Sequence, residues 1–129
     1  MATKLSALEW ELMHVLWEVS PLSASEVHER VPEDSGAHVK TVRSLLDRLI
    51  RKQAVTREKK HGVWVFRPAL ERESCLREEI RSFLQRFFDA QPVPLIAHLV
   101  KNENLSQEDL DELRALIDAH REEKEKRHG

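Results

Sequence analysis

A chain of 129 residues, 40% hydrophobic and 34% charged, can hold one domain with a proper core, or one small domain with an appendage. Only 5% of it is aromatic, no run of eighteen apolar residues occurs, and the opening MATKLSALEW has no signal-peptide core, so a membrane span is excluded and a mostly helical, cytoplasmic protein is expected. One cysteine, Cys75, excludes an intramolecular disulfide and an all-cysteine metal site within one chain, and the three glycines form no phosphate-cradling loop.

Ser6 with Glu9 three residues on is a capping-box pattern, and Leu5, Leu8, Leu12, Val15, Leu16 and Val19 follow at helical spacing, so a first helix starts here. Trp10 and Trp17, one heptad apart, flank that stripe as core or staple residues. Pro21 breaks the helix. Ser23 and Glu26 make a second capping box for a short helix that Pro32 ends, and Glu33 to His38 is a polar turn containing Gly36.

Ala37 to Gln53 then carries two faces at once. Val39, Val42, Leu45, Leu46, Leu49 and Ile50 recur at helical spacing, while Lys40, Thr41, Arg43, Ser44, Asp47, Arg48 and Arg51 take the other side. Three helices in this order match a helix-turn-helix unit whose last helix faces outward. Ala54 to Thr56 and Val63 to Phe66 read as two short strands around a polar turn, Arg57 to Gly62, whose Arg57, Lys59, Lys60 and His61 suit phosphate contacts. A solvated basic face is the plainer reading of each element alone.

After Pro68 a long helix is expected from about Leu70 to Ala90, with Leu76, Ile80, Phe83, Leu84, Phe87 and Phe88 in one stripe. Pro94 can start a further helix, LIAHLV, and Ser106 with Asp109 a last one that places Leu110, Leu113, Leu116 and Ile117 inward before fading into the charged tail HREEKEKRHG. Three helices with this much apolar surface and this little length call for a partner, most simply a second copy. The expected fold is therefore mainly α with a small β-hairpin: a winged helix-turn-helix DNA-binding domain over residues 1–69 and a helical dimerisation domain over 70–129. Its dimer interface would hold Leu76, Ile80, Phe83, Leu84, Phe87, Phe88, Leu110, Leu113 and Ile117.

The net charge of −2 conceals a partition. Met1 to Val39 holds two Lys/Arg against seven Asp/Glu, net −5, and Lys40 to His61 holds eight against two, net +6. The tail from Glu103 has five against nine, net −4. A basic block between acidic ones marks a localised polyanion-binding surface. The DNA-binding residues expected from it are Lys40, Thr41, Arg43, Ser44, Arg48, Arg51, Arg57, Lys59, Lys60 and His61.

The run ALEWELMHVLW, the segment KTVRSLLDRLIRKQAV, the wing up to RPAL and the late LSQEDLDELRALI together resemble the penicillinase-repressor family of transcriptional regulators, of BlaI/MecI type, with CopY-type copper repressors as relatives. The resemblance covers nearly the whole chain. It implies a winged-helix N-terminal domain, a helical dimerisation domain, and a homodimer that represses β-lactamase and resistance genes at palindromic operators. It also implies release by proteolysis in the C-terminal domain through a membrane-embedded sensor protease. By residue type, Lys40, Thr41, Arg43, Ser44 and Arg48 match the family's DNA-contacting helix. Where staphylococcal members are cut at an Asn-Phe bond, this chain reads His98-Leu99, and it lacks the paired cysteines of the copper-responsive relatives.

The seven histidines have no i, i+4 or H-x-H pair within one helix, so no metal or cofactor is expected, although a metal- or redox-responsive repressor of the same fold, drawing on Cys75, is an alternative. A protein-binding winged helix is another, and there the third helix would lose its basic face. No Ser/His/Asp or H-E-x-x-H arrangement supports an enzyme, and the carboxylate pairs Glu78-Glu79 and Asp111-Glu112 sit among arginines as ordinary solvated patterning.

Overall fold

The computed structural model of the protein describes residues 4–128. Residues 1–3 and 129, at the outer ends of the two expected domains, lie outside the described residues. The chain forms two compact units that meet in sequence between Ser82 and Phe83.

In the first unit, α1 (Ala7–Glu18) begins where the Ser6 hydroxyl accepts the Glu9 N–H at 3.2 Å and the Glu9 carboxylate accepts the Ser6 N–H at 2.8 Å. The same exchange between Ser23 and Glu26 starts α2 (Ala24–Arg30). Between them Leu22–Ser23 forms a short strand, β1, that the sequence pattern does not reveal. A single 3-10 turn over Glu33–Ser35 ends on Gly36, whose φ of 72° lies in the left-handed region that glycine adopts without steric penalty. It leads into α3 (Val39–Arg51).

α3 closes by a Schellman pairing: the Ala54 N–H reaches the Leu49 carbonyl and the Gln53 N–H the Ile50 carbonyl, both at 2.9 Å, with Gln53 left-handed at φ 64°. That reversal delivers the chain directly into β2 (Val55–Lys60), which pairs antiparallel with β3 (Val63–Pro68). β1 joins the other edge of β3 through Leu22 opposite Phe66 and Ser23 opposite Val65, giving the sheet order β1-β3-β2.

The core gathers Leu12, Met13 and Leu16 of α1, Val27 of α2, Val42, Leu46 and Leu49 of α3, and Val55 and Phe66 of the sheet. Each such side chain taken fully from water contributes roughly 1.5–3 kcal/mol. Trp10 and Trp17 pack against this core from its rim, as expected, and the Trp17 indole N–H donates to the Leu70 carbonyl at 2.9 Å. Val19, read as part of the stripe, is instead exposed, because the helix has already ended and Val19 is its extended C-terminal cap.

The hairpin differs from the sequence expectation. Arg57 to Lys60 belong to β2 and are not a turn; the connection is only His61-Gly62, with φ of 50° and 80°. Two successive left-handed residues are the φ signature of the type I′ turn, whose twist matches that of the flanking strands. Three of the four side chains expected at the wing tip therefore lie along a strand, and of the four only His61 occupies the tip.

α4 (Arg72–Phe88) starts in the first unit, where Cys75 is buried. The second unit contains the end of α4, then α5 (Pro92–Asn102) and α6 (Gln107–His128). α5 starts at Pro92 and not at Pro94, since a proline in the first helical turn loses no hydrogen bond that the helix would have used. α6 continues through the charged tail to His128, because Glu, Lys and Arg are good helix formers and opposite charges recur at helical spacing. No described residue from Phe83 onward is buried. Phe83 lies against Phe87 and Phe88, with ring centroids 5.0 and 6.0 Å apart, and Phe88 lies 6.5 Å from the His98 ring.

Candidate nucleic-acid interface

α3 buries Val42, Leu45, Leu46 and Leu49 and partly buries Val39 and Ile50, which leaves its other side in solvent. Lys40, Arg43, Ser44, Arg48 and Arg51 are exposed there and Thr41 is half-buried. His38 caps the helix without a side-chain hydrogen bond, so the N–H groups of the first turn stay available to an acceptor.

The wing stands beside this face. Alternation along paired strands puts Arg57 and Lys59 on one face of the hairpin with Trp64 and Phe66, and puts Glu58 and Lys60 on the other with Val65 and Arg67. On the first face the Arg57 guanidinium lies 4.4 Å from the centre of the Trp64 ring and the Lys59 ammonium 5.5 Å. On the second, Glu58 Oε1 lies 3.2 Å from Arg67 Nε and 3.8 Å from Lys60 Nζ. A groove of about 450 Å³ runs between wing and helices, lined by Ser25, Arg43, Asp47, Arg57, Val63 and Trp64. One helix cation, Arg43, and one first-face wing cation, Arg57, thus line the same concavity.

Two features of the unit are absent from the expected site. Glu9 is fully buried and Lys52, just past α3, reaches it at 2.7 Å. Burial pushes the Glu9 carboxyl up, but the hydrogen bonds from Lys52 and from Ser6 outweigh it and hold the group below the usual glutamate range. Trp64 is the other: its pairing with Lys59 follows from the two-residue turn, and a longer turn hides it. Recognising His61-Gly62 as a hairpin turn was the available signal.

The nine residues of the expected dimer interface divide between the two units. Leu76 is partly buried and Ile80 exposed in the first; in the second, Phe83, Phe87, Leu110, Leu113 and Ile117 are exposed while Leu84 and Phe88 are partly buried. Among the described residues, no group of three or more His, Cys, Asp or Glu side chains has a metal-holding arrangement. Burial, followed by the charge of Glu78, pushes the Cys75 thiol up from its ordinary range. No described helix is long and apolar enough to cross a membrane.

Three helices ending in a β-hairpin, on a sheet completed by a short strand between the first two helices, define a winged helix-turn-helix protein. The penicillinase repressor family model matches residues 5–119. The chain belongs to the penicillinase repressor family.

It is 29% identical over 121 residues to the penicillinase repressor of Bacillus licheniformis, covering 94% of each chain. It is 25% identical over 114 residues to the methicillin resistance regulatory protein MecI of Staphylococcus aureus (strain N315), covering 88% of this chain and 93% of that one. Among solved structures, a MarR family protein from Bacillus stearothermophilus superposes with a TM-score of 0.51 at 23% identity, covering 93% of this chain and 76% of that chain, a likeness of fold alone.

Proposed function

We propose that the protein is a sequence-specific DNA-binding transcriptional repressor that acts as a homodimer on a palindromic operator. The observation that carries this reading is the meeting of Arg43 of the exposed cationic face of α3 with Arg57 of the wing along one groove. In this reading residues 1–69 bind DNA and residues 70–129 dimerise. Lys40, Thr41, Arg43 and Ser44 lie early in α3 and contact base edges in the major groove; Arg48, Arg51, Arg57, Lys59, Lys60 and His61 neutralise phosphates.

The homodimer is supported by exposed apolar surface: from Ile80 onward the chain carries eleven of the fourteen large hydrophobic residues found exposed among the described residues. A monomer seldom leaves so many large apolar side chains in water. Two-fold pairing would set two α3 helices on one DNA face, one or two helical turns apart. Controlled genes of the antibiotic-resistance type, and release by a membrane sensor protease cutting within residues 70–129, complete the proposal and rest on family membership. His98 and Leu99 lie inside α5, and the Asn102 side-chain amide donates to the His98 carbonyl at 2.9 Å, so a cut there would require local opening of that helix.

The test is selection of the tightest sequences from randomised duplexes with the purified protein, followed by anisotropy titrations at two salt concentrations. Tight, salt-dependent binding to a palindrome is expected. Absence of any binding near physiological salt overturns the proposal and moves the basic face to a protein partner.

A further inference from the structure

We propose that Trp64 is a positioning residue of the wing: its indole face holds Arg57 toward the groove beside α3 and keeps Lys59 on the same face of the hairpin, so that both cations meet phosphates of the DNA strand that α3 engages. The inference rests on the DNA-binding reading above and assigns a role to a residue outside the cationic set.

Three observations lead to it. Phe66, on the same hairpin face, is buried in the core, while Trp64, one residue pair further out, is 44% exposed. Core packing therefore accounts for Phe66 but not for a large indole placed beyond the edge of the core. Second, Trp64 stands directly opposite Lys59 and diagonal to Arg57, and both cations lie over its ring at 5.5 and 4.4 Å. A guanidinium stacked on an indole keeps all its N–H donors free at its edge, so the contact fixes direction without using up the groups that bind phosphate. Third, the wing's charges are sorted. Among the described residues no carboxylate lies within ion-pairing distance of Arg57 or Lys59, whereas Glu58, on the opposite face, engages both Lys60 and Arg67. Glu58 offsets one of the two positive charges on the outer face, whereas Arg57 and Lys59 are free of any ion-pairing carboxylate among the described residues.

This arrangement is pre-organisation. Long cationic side chains lose rotamer freedom when they bind, and a ring that already restricts two of them lowers that loss. It also ties wing to helix, since Arg43 and Asp47 of α3 line the same groove as Arg57 and Trp64.

The experiment uses the full chain and a mixed-sequence DNA duplex, titrated across a range of salt concentrations with wild type, Trp64→Ala, Trp64→Phe, Arg57→Ala and the double variant Trp64→Ala/Arg57→Ala. Trp64→Ala is expected to weaken binding about two- to fivefold and to flatten the log–log salt slope by up to about 0.9, the loss of one phosphate contact. Trp64→Phe, with a weaker π-face, falls between wild type and Trp64→Ala. The double variant loses less than the sum of the two single losses, because part of the ring's effect runs through the guanidinium and the remainder through Lys59. Thermal unfolding of each variant separates a lost platform from a lost fold, and Trp64→Phe carries the test if Trp64→Ala unfolds. Wild-type affinity and slope in the Trp64 variants, or full additivity with Arg57→Ala, overturns the inference while leaving DNA binding in place. Failure of wild type to bind the duplex overturns both.

Discussion

Lys52 Nζ lies 2.7 Å from Glu9 Oε1 and 2.9 Å from the Lys4 carbonyl, joining the residue that caps α3 to the first turn of α1 across 43 positions of sequence. Glu9 Oε1 also accepts the Ser6 N–H, so one buried oxygen serves both the start of α1 and the end of α3. Removing the ammonium leaves a buried carboxylate without its cation. Lys52→Met should therefore lower unfolding free energy by about 1–3 kcal/mol, less than for a wholly buried pair because Lys52 stays partly in solvent. Urea denaturation at neutral pH measures it.

The same pair sets a pH dependence. The Glu9 carboxyl is held below its ordinary value of 4.5, so the unfolded chain takes up its proton first as pH falls. Its contribution to stability is complete above the ordinary glutamate range and is lost as pH falls through the lower folded value. Denaturation of wild type and Glu9→Gln across this range should show the wild-type advantage shrinking below about pH 4.5. An advantage that stays constant or grows in acid contradicts the assignment.

At the DNA face, Arg43→Ala or Thr41→Ala should cost about 1–3 kcal/mol at the selected operator and relax sequence preference. Lys59→Ala and Lys60→Ala should weaken binding to all sequences alike, but unequally. Lys60 lies 3.8 Å from Glu58 on the outer face, while Lys59 stands over Trp64 on the groove face, so the salt slope should fall more for Lys59→Ala. Anisotropy titrations over a salt series distinguish the two.

Phe87 is 63% exposed at the end of α4, in ring contact with Phe83. Phe87→Glu should split the homodimer, with little change in the far-ultraviolet dichroism of a chain whose core lies elsewhere. Light scattering gives the mass, and operator affinity should fall with it as the second half-site contact is lost. A wild type that scatters as a monomer contradicts the dimer proposal.

Cys75 should be a slow nucleophile. Its thiol is buried and pushed up by that burial and by Glu78, which leaves little thiolate at neutral pH. Reaction with a disulfide reagent should be well below the rate for free cysteine until denaturant is added, an outcome that disfavours the redox-responsive alternative. Rapid reaction in the native state would restore it.

Helix starts were the most legible part of the sequence. Ser6-x-x-Glu9 and Ser23-x-x-Glu26 each carry their cap within four residues, and both caps form. The amphipathic face of α3 was equally plain, because its apolar positions recur over more than three turns. β1 was not, since Leu22–Ser23 is too short to show any period and is a strand only because β3 lies beside it. The wing tip is not legible in the sequence because β2 is exposed from Thr56 to Lys60, and a strand with solvent on both faces shows no alternation. The Lys52–Glu9 pair was hidden for a different reason: the local capping pattern accounts for Glu9 completely, and nothing nearby signals a partner so far along the chain.

The outer part of the wing lacks a third strand. β1 reaches only as far as Val65, so beyond that point β2 and β3 form a bare two-stranded ribbon, marginal on its own in water. Beside the backbone ladder, the side-chain braces across its strands are charged: Glu58 with Arg67 on one side, Arg57 and Lys59 over Trp64 on the other. Exposed ion pairs weaken as salt rises. Added salt thus weakens the Glu58–Arg67 brace of the wing before any nucleic acid arrives.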